Sequence, residues 1–105
     1  PVEGGRLETP HALDIAFVFD NVARSTSFTG PETAETRRMA DLMADAWIAF
    51  ARSGNPNTPA LPQWPTYNLQ SRATMIFDID PQVVNDPDGA ERALLQRLLP
   101  EGRGL

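Results

Sequence analysis

Between residues 39 and 50 the chain repeats apolar side chains at a spacing that suits a helix and little else. Met39, Leu42, Met43, Ala46, Trp47 and Phe50 stand at i, i+3, i+4, i+7, i+8 and i+11, which makes one continuous helical face. Ala40, Ala44, Ile48 and Ala51 widen that face, while Asp41, Asp45 and Arg52 mark the polar side. Upstream, Thr29-Gly30-Pro31-Glu32 has capping-box spacing, a hydroxyl followed three residues later by a carboxylate. Downstream, Gly54 suits the position after a helix C-terminus, and Pro56 prevents continuation. The pattern predicts a helix over about 32–53 with an apolar surface wider than a single stripe.

The other segments are shorter. Residues 1–10 carry Gly4-Gly5 between prolines and read as an exposed loop. Residues 11–19 are an apolar run broken by Asp14, compatible with a short helix or a buried strand. Residues 21–30 form a polar connector, and residues 55–65 hold four prolines in eleven positions, an ordered but irregular crossing. Residues 74–79 mix β-branched and aromatic side chains and predict a strand ended by Pro81. Asp86 followed by Pro87 predicts the start of a helix over about 87–99, with Leu94, Leu95, Leu98 and Leu99 as its stripe. No internal repeat or low-complexity segment is present.

A lone strand cannot satisfy its own backbone groups, and the long helix has more apolar face than these segments can cover. The expectation is a set of elements that dock on a larger sheet lying outside the chain. The first residue is Pro1 and the first methionine is Met39, with no basic segment leading into an apolar one. That leads to the expectation of a fragment, a processed product or part of a longer protein.

Charge and composition narrow the functional classes. Nine basic against 14 acidic residues give a net charge of −5, a sign that repels phosphate backbones, so nucleic acid is not an expected partner. The longest clear apolar stretch, residues 15–19, is far short of a bilayer span. There is no cysteine and one histidine, which leaves no disulfide framework and too few ligands for zinc. Asp78, Asp80, Asp86 and Asp88 lack the glycine and terminal glutamate of a calcium loop and read as solvated surface. Neither a metal nor a cofactor is expected. A soluble protein is expected, and cysteine usage leaves the compartment open between cytoplasmic and secreted.

The segment His11-Ala12-Leu13-Asp14-Ile15-Ala16-Phe17-Val18-Phe19 resembles the catalytic-histidine segment of the type B carboxylesterases, which include cholinesterases and bacterial para-nitrobenzyl esterases. In that family a histidine is followed three residues later by an acid, then an apolar residue, then a pair like Phe-x-Phe. The likeness continues through Ala40-Asp41-x-Met43, Ala46-Trp47-Ile48-x-Phe50-Ala51, Gly54-Asn55-Pro56-Asn57, Trp64-Pro65-x-Tyr67 and Thr74-Met75-Ile76-Phe77-Asp78. These blocks keep the family's order and spacing from about Gly4 to about Arg92.

The resemblance implies an α/β fold, the C-terminal segment of an α/β-hydrolase, mainly helical here with one late strand that joins the parent sheet. It implies a carboxylic-ester hydrolase using a Ser-acid-His triad, with His11 as the base and Leu13, two residues on, as a pocket residue. None of Ser25, Ser27, Ser53 and Ser71 sits in a Gly-x-Ser-x-Gly elbow, and no glycine-rich oxyanion loop is present. The implied partner is therefore the remainder of the hydrolase, bearing the nucleophile, the acid and the oxyanion donors, together with a small ester substrate. Imidazole suits the role because it can take the serine proton and return it to the leaving alcohol near neutral pH. Asp14 lies too close in sequence to act as the triad acid and reads as a local structural residue. The alternative reading is a non-catalytic binding or adhesion member, or an inactive fragment, of the same fold; a small independent helical interaction domain is a third.

Overall fold

The computed structural model describes residues 2–6 and 8–99. In chain order its elements are a 3-10 turn Val2–Gly5, helix α1 Leu13–Val18, a second 3-10 turn Val22–Arg24, helix α2 Thr26–Thr29, helix α3 Ala34–Ser53, strands β1 Ala73–Ile76 and β2 Gln82–Asn85, and helix α4 Gly89–Leu98.

Helix α3 starts later than the 29–32 spacing predicts, because a different threonine caps it. The Thr36 backbone N–H donates to Thr33 Oγ1 at 3.2 Å, and the Thr33 N–H donates to Thr36 Oγ1 at 2.8 Å, a reciprocal capping box. Thr29 is occupied elsewhere, its hydroxyl donating to the Ser25 carbonyl at 3.1 Å at the end of α2. In the first turn of α3 the Glu35 carboxyl is held below its usual range, first by its own backbone N–H and then by the Thr33 hydroxyl. At the other end Gly54 adopts φ 73°, and its N–H donates to the Phe50 carbonyl at 2.7 Å.

Two apolar clusters form on α3. Leu42 and Ala46 pack with Leu61 and Met75, with Trp64, Phe77 and Val83 at the margin. Ala40 packs with Ala16 and Val22, flanked by Phe17, which seats α1 on α3. The prolines of 55–65 cross over the first cluster, pinned by Asn57. Its side chain donates to the Trp64 carbonyl at 2.8 Å and accepts the Trp64 N–H at 2.6 Å, standing in for a strand partner.

The expectation of one late strand is corrected to two. β1 pairs antiparallel with β2 in the register Ala73↔Asn85 to Ile76↔Gln82. Pro81 does not close the strand region; it lies in the connection 77–81, where its missing N–H removes no ladder bond. The strand predicted over 74–79 ends at Ile76 because 77–81 turn the chain. Asp86 likewise is not the cap of α4. The N-cap is Asp88, and the Asp86 carboxylate instead accepts from Arg92 Nε at 2.9 Å and Nη2 at 2.8 Å.

Much apolar surface remains open. Trp47 and Phe50, on the apolar face that the spacing predicts, are 46% and 57% exposed, and α4 buries none of its residues. The Cα radius of gyration is 16.0 Å, against roughly 13 Å for a self-contained domain of this length. The elements are arranged around surfaces that they do not cover.

Candidate active site

His11 leaves the chain in a tight turn just before α1. The Pro10 carbonyl closes that turn by accepting the Leu13 N–H at 3.2 Å, and the Ala12 carbonyl accepts the Ile15 N–H at 3.3 Å. Ala12 takes the left-handed conformation, φ 68° and ψ 8°. The turn is tied to the core through α1, whose Ala16 is buried against Ala40 and Val22. Beyond the helix the Asn21 N–H donates to the Ala16 carbonyl at 2.8 Å, closing its far end. A short apolar helix thus fixes an exposed imidazole relative to α3.

The imidazole stands at an open cleft of about 490 Å³. His11 and Leu13, both singled out in the sequence, line it together. Phe17 joins them from α1, Met39 and Met43 from α3, and Phe77 from the segment after β1. Met39, Met43 and Phe77 carried no linear signal for this site, since each reads as ordinary packing in its own element. Only the docking of α1 and the hairpin on α3 brings them beside His11.

Among the described residues the His11 ring makes no hydrogen bond, and Asp14, also at the cleft, is exposed in the first turn of α1. Asp14 therefore does not orient the imidazole here. The serines are engaged or lie elsewhere. Ser53 Oγ donates to the Ala49 carbonyl at 2.9 Å and Ser71 Oγ to Asn68 Oδ1 at 3.1 Å. Ser25 and Ser27 line a separate recess with Ile15 and Phe19. The described residues thus bring a base and an apolar wall together, with Thr9 but no serine among the residues lining the cleft.

The sequence profile of the carboxylesterase family matches residues 5–95. The chain belongs to the carboxylesterase family. It is 37% identical over 91 residues to the para-nitrobenzyl esterase of Bacillus subtilis (strain 168), covering 86% of this chain and 18% of that protein. To the phenmedipham hydrolase of Pseudarthrobacter oxydans it is 32% identical, over 72% of this chain and 16% of that one. A solved PNB esterase superposes with a TM-score of 0.73 at 37% identity, over 87% of this chain and 18% of the other. A carboxylesterase of Geobacillus stearothermophilus gives a TM-score of 0.71 at 37% identity, over 81% and 18%. The fold is therefore part of the carboxylesterase α/β-hydrolase, and the chain spans 18% of the length of its para-nitrobenzyl esterase relative. Among the described residues of this carboxylesterase-family chain, no helix is long and apolar enough to cross a membrane.

Proposed function

We propose that this chain is the histidine-bearing C-terminal part of a carboxylic-ester hydrolase that works through a Ser-acid-His triad, with His11 as the base. The observation that carries this reading is the pairing of an exposed imidazole with an apolar cleft, in a turn that leads into a helix seated against α3. The remainder of the hydrolase would bring the serine, the acid and the oxyanion donors to the open side of that cleft. No cofactor takes part.

In this reading His11 accepts the serine proton as the serine oxygen attacks the ester carbonyl, forming a tetrahedral intermediate. It then gives that proton to the leaving alcohol as the acyl-serine forms. Water, deprotonated by the same imidazole, releases the acid and restores the serine. Leu13, Phe17 and Met43 offer the substrate an apolar wall beside the ring.

The test is His11→Ala in the complete protein. Because triad members act as a unit, kcat is expected to fall on the order of 10³-fold or more with substrate binding nearly intact. Asp14→Asn, made beside it, is expected to keep most of the activity. Retention of more than about a tenth of the rate by His11→Ala, with Asp14→Asn inactive yet folded, would reverse the assignment.

A further inference from the structure

We infer that Ala12 is a positioning residue, whose left-handed backbone conformation aims the His11 ring into the cleft. This rests on the reading of His11 as the base. Ala12 has φ 68° and ψ 8°, a region where an L-residue's Cβ crowds the following carbonyl oxygen. Of the six non-glycine residues at positive φ among the described residues, Asp20, Asp86 and Asp88 carry a short polar side chain that tolerates the region. Ala12 has no polar atom to compensate, and it makes no side-chain cap on α1.

What holds it there is the structure on either side. The Leu13 N–H to Pro10 carbonyl bond at 3.2 Å closes the turn, and the Ile15 N–H to Ala12 carbonyl bond at 3.3 Å starts the helix. Ala16, buried on α3, keeps that helix from turning to relieve the crowding. A disfavoured backbone conformation persists only where its surroundings over-determine it, and such residues cluster at functional sites. Here the consequence is geometric. A rigid peptide plane joins His11 to Ala12, so φ of Ala12 sets the angle between the His11 residue and the axis of α1. With α1 fixed on α3, that angle decides whether the ring faces Leu13 and Phe17 or swings outside the cleft.

The experiment compares four substitutions in the complete protein. Ala12→Gly and Ala12→Asn keep the left-handed region accessible, whereas Ala12→Thr and Ala12→Val oppose it through branching at Cβ. Asn and Thr are close in size and both polar, so that pair separates backbone conformation from bulk. Per folded molecule, counted by near-UV ellipticity, the Thr and Val variants are expected to lose on the order of 10²-fold in kcat with KM little changed. The Gly and Asn variants are expected to stay near wild type. His11→Ala is measured in the same series, and its retaining activity would defeat the reading of the base itself. If His11→Ala is inactive while Ala12→Thr keeps the wild-type kcat, or while Gly and Asn lose as much as Thr, the positioning role is overturned. Failure of both the Thr and Val variants to fold would make the conformation a requirement of the fold alone, which also overturns it.

Discussion

Asp86 precedes Pro87 at the spacing of a helix cap, yet its carboxylate closes on the guanidinium of Arg92. Two parallel hydrogen bonds to one planar group outcompete a single bond to a backbone N–H. The Arg92 bonds hold the Asp86 carboxyl below the usual carboxylate range, opposed by burial, with the Arg92 and Arg72 charges adding to the effect. The sign follows from a depressed folded-state value. The pair's contribution is fully present above the ordinary carboxylate pKa and is lost as pH falls through the depressed one. Both side chains are about one-third exposed, 34% and 33%, so solvent screening keeps the contribution small. Arg92→Ala in the complete protein is expected to lower the denaturation midpoint at neutral pH. Its difference from wild type should close in acid below the ordinary carboxylate range. Equal differences at both pH values, in denaturant titrations, would disprove the linkage.

The helix α3 shows what periodicity carries and what it does not. Its existence was legible because an apolar face repeated from Met39 to Phe50 leaves no other conformation that buries Leu42, Met43 and Ala46 together. Its start was not, because Thr29 and Thr33 both precede a helical run and only the contacts of α2 decide which hydroxyl is free. Thr33→Ala is expected to cost about 1 kcal/mol, as caps of this kind do. Gly54→Ala tests the other end. A Cβ there would meet no atom within 4 Å, so its cost is purely that of φ 73°, about 1 kcal/mol. Urea denaturation of the complete protein measures both, and an unchanged midpoint for Gly54→Ala would show that the turn relaxes freely. Strand β2 was missed for the opposite reason. Four residues, Gln82–Asn85, with only Val83 and Val84 half-buried, are too few to show a period of two.

Across the whole chain the exposed apolar surface is the dominant feature. Leu94, Leu95, Leu98 and Leu99 of the α4 region, together with Trp47 and Phe50 on α3, remain open. Apolar area left in water contributes nothing to offset the conformational entropy lost on ordering the chain. The isolated 105-residue chain is therefore expected to show no cooperative thermal transition in the near-UV ellipticity of Trp47 and Trp64. A sharp transition in a monomer would establish that it folds as a domain alone. The same chain is expected to hydrolyse simple aryl esters no faster than background, since imidazole without an activated serine lacks its nucleophile. Turnover that titrates with a serine-directed phosphonate on the chain itself would contradict this.

The sequence by itself determined the family, through blocks spread from His11 to Asp78. It also determined the long helix and the proline crossing, whereas His11 and Leu13 were singled out only by the resemblance to the family. These are local patterns, written in spacing and in residue types that admit few conformations. The tertiary structure decided what depends on competition between distant groups: which threonine caps α3, whether Asp86 caps a helix or binds Arg92, and the pairing of β1 with β2. It also decided that Met39, Met43 and Phe77 stand beside the imidazole. Each of these side chains has several acceptable partners along the chain. The choice is made only when docking on α3 brings one of them within reach and excludes the rest.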